Sequence, residues 1–83
     1  MMMNKKRRNE IAKVVEQLKQ SRDKITQLAN EERTAYDSLP DSLKETDNAL
    51  EMGDNVEFLE AASENVESAI GELLNIYGIH DGK

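Results

Sequence analysis

The chain has 83 residues, 17 acidic and 11 basic, for a net charge of −6, with no cysteine and one proline. That length holds one domain and leaves a lone pair of elements short of buried apolar surface, so a second copy or another partner is expected. The missing thiols exclude disulfides and cysteine-ligated metals, and low aromatic (4%) with high charged (34%) content favours long helices over sheets.

Taken from the start, Lys5, Lys6, Arg7 and Arg8 set four cations against the positive end of a helix dipole. Residues 1–8 therefore read as a basic flexible tail, with Asn9 capping the first helix and Glu10 in its first turn. From there apolar residues recur at helical spacing through Ile11, Val14, Val15, Leu18, Ile25, Leu28, Ala29, Ala35, Tyr36 and Leu39, predicting a helix over about 10–39. Pro40 carries no backbone N–H and disfavours helical geometry at Leu39, which predicts a turn over about 40–47. A second pattern, Met52 through Tyr77, predicts a helix over about 48–77. Its start is either Thr46 or Asp47, the preferred site, or the Asp54/Glu57 capping box; Gly78 suits the left-handed position after its end, with Ile79 folding back onto Leu74. Residues 9–78 thus form the helical hairpin, and 79–83 a C-terminal tail.

Heptad arithmetic supplies the register. With Ile11, Leu18, Ile25 and Met52, Leu59, Val66, Leu73 at position a, antiparallel partners whose residue numbers total 87 pair throughout: Ile11 with Ile76, Val14 with Leu73, Leu28 with Leu59. Large side chains then face small ones, and Glu32 opposite Asn55 makes one polar layer. The expected hairpin core is Ile11, Val14, Leu18, Ile25, Leu28, Leu59, Ala62, Val66, Ala69, Leu73 and Ile76. This register carries the second helix through Gly53, at about 1 kcal/mol relative to alanine. The e positions Val15, Arg22, Ala29, Tyr36, Val56, Ser63, Ile70 and Tyr77 line one side, and the six apolar or aromatic ones, all but Arg22 and Ser63, predict a dimer flank. The opposite side, Glu10, Gln17, Lys24, Glu31, Asn65 and Glu72, is polar except for Phe58. The fold class expected is all-α: an antiparallel two-helix, coiled-coil-like hairpin that dimerises into a four-helix bundle.

His80 with Asp81 sits in a terminal Gly-Ile-His-Asp-Gly run, where a solvated tail is expected rather than a positioned catalytic pair. Glu57, Glu60, Glu64 and Glu67 share a face, but no Glu-x-x-His companion makes them di-iron ligands. Glycine-rich phosphate loops, nucleophile elbows and zinc spacings are absent, so no catalytic residue, metal or cofactor is expected and the chain reads as non-enzymatic. Lys5, Lys6, Arg7 and Arg8 are the candidate nucleic-acid contact, although no aromatic residue lies in the run to stack on a base. The four glutamates are a candidate acidic face for a basic protein surface, the alternative being that they complement Lys and Arg of the first helix. No apolar run spans a membrane and the opening lacks the apolar middle of a secretory signal, so a cytoplasmic protein is expected. Charge divides sharply: residues 1–39 hold nine Lys/Arg and six Asp/Glu, a net +3, whereas 40–83 hold two and eleven, a net −9.

The stretch Glu31-Glu32-Arg33-Thr34-Ala35-Tyr36-Asp37-Ser38-Leu39-Pro40-Asp41-Ser42-Leu43 resembles small proteins of bacterial phages, prophages and plasmids. These carry a similar acidic-aromatic segment, then Asn/Ser-Leu-Pro-x-Ser-Leu, then an acidic helix. The resemblance covers about half of the chain and excludes the basic opening. It implies a helical hairpin of mobile-element origin and no catalytic assignment. Together these readings predict a non-enzymatic binding or regulatory protein, a homodimer with a further protein partner. The alternatives are a nucleic-acid accessory protein using the basic arm and a purely structural bundle component.

Overall fold

The proline and the threonine that follows it set where the chain reverses. The computed structural model describes residues 4–76, which form α1 (Lys5–Asp37), a short 3-10 turn (Asp41–Leu43) and α2 (Asp47–Leu74). Pro40, extended at φ −60° and ψ 149°, cannot continue α1. The last carbonyls are taken up locally: the Ser38 hydroxyl donates to the Thr34 carbonyl at 2.8 Å and the Leu39 N–H to that of Tyr36 at 3.1 Å. α1 thus closes at Asp37, two residues before the expected Leu39. On the far side, the Thr46 hydroxyl accepts from the Ala49 N–H at 3.2 Å and donates to the Leu43 carbonyl at 2.8 Å, tying the turn to the first turn of α2. The earlier of the two candidate starts is therefore the one used, and α2 passes unbroken through Gly53 and Asp54.

Both outer ends depart from expectation. Residues 5–8 are the first turn of α1 and no tail, because the Asn4 side chain accepts the Arg7 N–H at 2.8 Å. Such a cap contributes about 1 kcal/mol, while repulsion between exposed cations and the helix dipole is screened by water and salt. α2 ends at Leu74, with the Asn75 N–H directed to the Glu72 and Leu73 carbonyls, three residues before the expected Tyr77. Tyr77, Gly78, Ile79 and His80 lie outside the described residues.

The hairpin is all-α and antiparallel, with no strand among the described residues. Its extents are 62 × 19 × 13 Å and its radius of gyration is 18.0 Å. A compact chain of this length has a radius near 12 Å.

The core lies on a different stripe from the one the heptads selected. Its buried residues are Val15, Ala29, Ala49, Val56 and Ile70. Four of them, Val15, Ala29, Val56 and Ile70, belong to the stripe assigned to a dimer flank, and Tyr36 of that stripe is half-buried. Conversely, Val14 is 43% exposed, Leu28 40%, and Ala69 exposed too, three residues that the heptad register places in the core. Ile11, Leu18, Ile25, Leu59, Ala62, Val66, Leu73 and Ile76 are half-buried. Each helix is turned by about 50° from the expected orientation, half the step between successive residues. The physical reason is polar satisfaction. Positions a, d and e are all largely apolar, but the polar members of the e stripe, Arg22 and Ser63, find partners across the helices in Glu67 and Thr26, while a seam of a with e leaves Ser21 and Asn55 of the d stripe exposed to water.

Candidate functional site

That rotation gives the hairpin two unlike flanks. One is polar and internally paired. Arg22 Nη1 meets Glu67 Oε1 at 2.6 Å while its Nη2 meets Asp23 Oδ1 at 3.1 Å; Thr26 and Ser63 share a hydroxyl hydrogen bond of 2.9 Å; Arg33 Nη2 meets Glu60 Oε2 at 2.6 Å. The hydrogen bond to Glu67, helped by that to Asp23, raises the Arg22 pKa, and the bond to Glu60 raises that of Arg33. These contacts tie the middle of α1 to the middle of α2 and fix which levels of the two helices are neighbours.

The opposite flank carries the displaced apolar stripe. On α1 it runs through Val14, Leu28 and Ala35, seven or fourteen residues apart and all exposed; on α2 it runs through Ala62 and exposed Ala69. Phe58, one turn before Ala62, is 72% exposed and stands at the edge of this stripe. The Asn55 amide donates to Glu32 Oε2 at 3.4 Å, joining the two residues that the register set opposite each other. Phe58 was the visible signal, the single apolar residue on a side otherwise read as wet. Leu50, 56% exposed, and Leu43, 46%, add apolar surface near the turn that periodicity did not single out. Lys44 lies over the Tyr36 ring at 5.6 Å from its centroid, which keeps that half-buried ring covered at the turn.

The candidate acidic face is divided. Glu60 and Glu67 are engaged by Arg33 and Arg22, so complementarity between the two helices accounts for half of it, while Glu57 and Glu64 are exposed. Lys5, Lys6 and Arg7 are exposed on the first turn of α1, with Arg8 half-buried beside them. A groove of about 570 Å³ runs along α1 past Asp23, Thr26, Gln27, Asn30, Glu31 and Thr34. All six are exposed, so this is open helix surface rather than an enclosed ligand cavity. Among the described residues no group of three or more His, Asp or Glu side chains is placed to hold a metal ion, and no helix is long and apolar enough to cross a membrane.

Folding also redistributes charge. The cross-helix contacts set the two ends of the described chain, residues 4–22 and 66–76, at the open end of the rod, and residues 23–65 at the turn end. The open-end half carries seven Lys/Arg and four Asp/Glu, a net +3; the turn half carries three and twelve, a net −9. The polarity therefore runs along the rod from end to end. Compared with known proteins, the chain matches no family model, no curated protein sequence and no solved structure.

Proposed function

We propose that this chain is a non-enzymatic regulatory protein of a phage or other mobile element, acting by protein–protein contact in the host cytoplasm. The apolar flank of exposed Val14, Leu28, Ala35 and Ala69 with half-buried Ala62, and Phe58 at its edge, carries this reading. Contiguous apolar surface rimmed by polar residues is the mark of an interaction site, and burying such side chains gains roughly 1.5–3 kcal/mol each for the large ones. The flank joins two copies into a four-helix bundle. The exposed carboxylates of the turn half, Glu57 and Glu64 among them, then face a basic surface of a host or phage protein.

Sedimentation of the full chain tests the first part. A dimer at micromolar concentration is expected, converted to a folded monomer by the double variant Leu28→Asp and Phe58→Asp. A wild-type chain that stays monomeric while helical rejects the flank as a self-association surface. For the second part, a basic protein captured from the host should bind wild type in a salt-sensitive manner and bind Glu57→Gln/Glu64→Gln more weakly. Binding indifferent to both salt and these substitutions rejects the acidic contact.

A further inference from the structure

We infer that the second copy lies antiparallel to the first, so that the helical turn bearing Lys5, Lys6 and Arg7 rests against the acidic turn of its partner. This rests on the proposed dimer and adds its geometry. Two observations on the rod select the arrangement. The first is its charge, net +3 at the open end and net −9 at the turn end, so that a parallel pair opposes like ends and an antiparallel pair opposes unlike ones. The second is the apolar stripe itself. A twofold axis crossing the flank midway between Ser21 and Leu28 sets Val14 against Ala35 and Ser21 against Leu28, a larger side chain opposite a smaller one each time. The same axis points residues 5–7 toward the partner's turn, beyond the end of α1 at Asp37, where Asp41 and Glu45 are exposed.

The available surface is sufficient for this assembly. The chain exposes 6411 Å². A compact protein of 9.4 kDa exposes about 5,000 Å², so roughly 1,400 Å² is in excess, against about 800 Å² per partner in a standard interface. Because the two patches are self-complementary about a twofold axis, the pairing closes at two copies. The ordered start of α1 matters here. Asn4 caps this turn into α1, which places Arg7, seven residues before Val14, on the apolar flank itself, while Lys5 and Lys6 lie around the same helical turn and add their charge to that end of the rod.

The chain contains no cysteine, so a spin label is placed uniquely by Ser42→Cys in the turn. At 1.5 Å per residue along the rod, the antiparallel pair separates the two labels by about 50 Å; a parallel pair holds them within about 25 Å. The long distance is expected, and a short one in a confirmed dimer overturns the inference while leaving the dimer standing. Absence of any dimer overturns the proposed function as well. Charge reversal supplies the second arm. Converting Lys5, Lys6 and Arg7 to Glu suits the helix dipole and keeps α1 folded. It should raise the dimer dissociation constant roughly tenfold at about 0.1 M salt, and adding Asp41→Lys and Glu45→Lys to the same chain should restore it. If reversal leaves the dimer unchanged, or removes binding to a DNA duplex instead, the cations do not serve the partner copy and the inference fails.

Discussion

Val14 and Val15 are the same side chain one position apart, yet Val15 is 2% exposed and Val14 43%. Truncation should separate them. Val15→Ala is expected to cost about 1.5–3 kcal/mol through lost burial and a residual cavity, and Val14→Ala less than about 1 kcal/mol, in urea unfolding at a dilution where the protein is monomeric. Equal losses would return the seam to its heptad a and d positions. The paired arginines rank below the core: Arg22→Gln and Arg33→Gln should each lower the thermal midpoint by less than Val15→Ala does, since exposed ion pairs are screened. Both arginine pKa values are raised in the fold, so the stability they contribute is present below arginine's ordinary pKa and lost only as the pH climbs through the higher folded value. On the arginine side, then, neither pair adds pH dependence across the neutral range. At this scale the sequence showed which residues were apolar, but three stripes qualified for two places. What separates them is where the polar members of each stripe end up, Arg22 and Ser63 bonded across the helices and Ser21 and Asn55 exposed, and that is a property of both helices at once.

The caps govern the helices as elements. Asn4→Ala and Thr46→Ala should each remove about 1 kcal/mol, and amide hydrogen exchange should locate the loss in the first turn of α1 or α2 respectively. Gly53 and Gly71 lie inside α2, and an added Cβ meets only Tyr36 Cε1 at 3.9 Å in the first case and nothing within 4 Å in the second. Gly53→Ala and Gly71→Ala should therefore each raise stability by about 0.5–1 kcal/mol, read as a higher thermal midpoint; a lower midpoint at Gly53 would mean that Tyr36 cannot accept the contact. The inner ends of both helices were legible because Pro40 and Thr46 act through their own backbone geometry. The outer start was not. At Asn4 a favourable cap competes with an unfavourable cluster of charge, and the sign of the total depends on how much water screens the cations, which letters alone do not record.

For the whole molecule, the elongated shape and the segregation of charge have a joint effect. The macrodipoles of α1 and α2 oppose each other in an antiparallel hairpin, leaving the side chains as the main source of any field along the rod. A particle 62 Å long with cations gathered at one end and carboxylates at the other has a large permanent electric moment and should orient in an applied pulse. Two such particles laid head to tail cancel that moment by symmetry. Transient birefringence of the dilute protein should accordingly show field alignment of the permanent-dipole kind, fading as concentration rises and copies associate. Side-by-side association with the moments in the same sense would strengthen the signal instead. A protein built this way loses its polarity on finding its own kind: both ends of the pair then combine +3 with −9 and are equally acidic, so an anionic surface that attracts the single rod by its cationic tip finds no such tip on the pair.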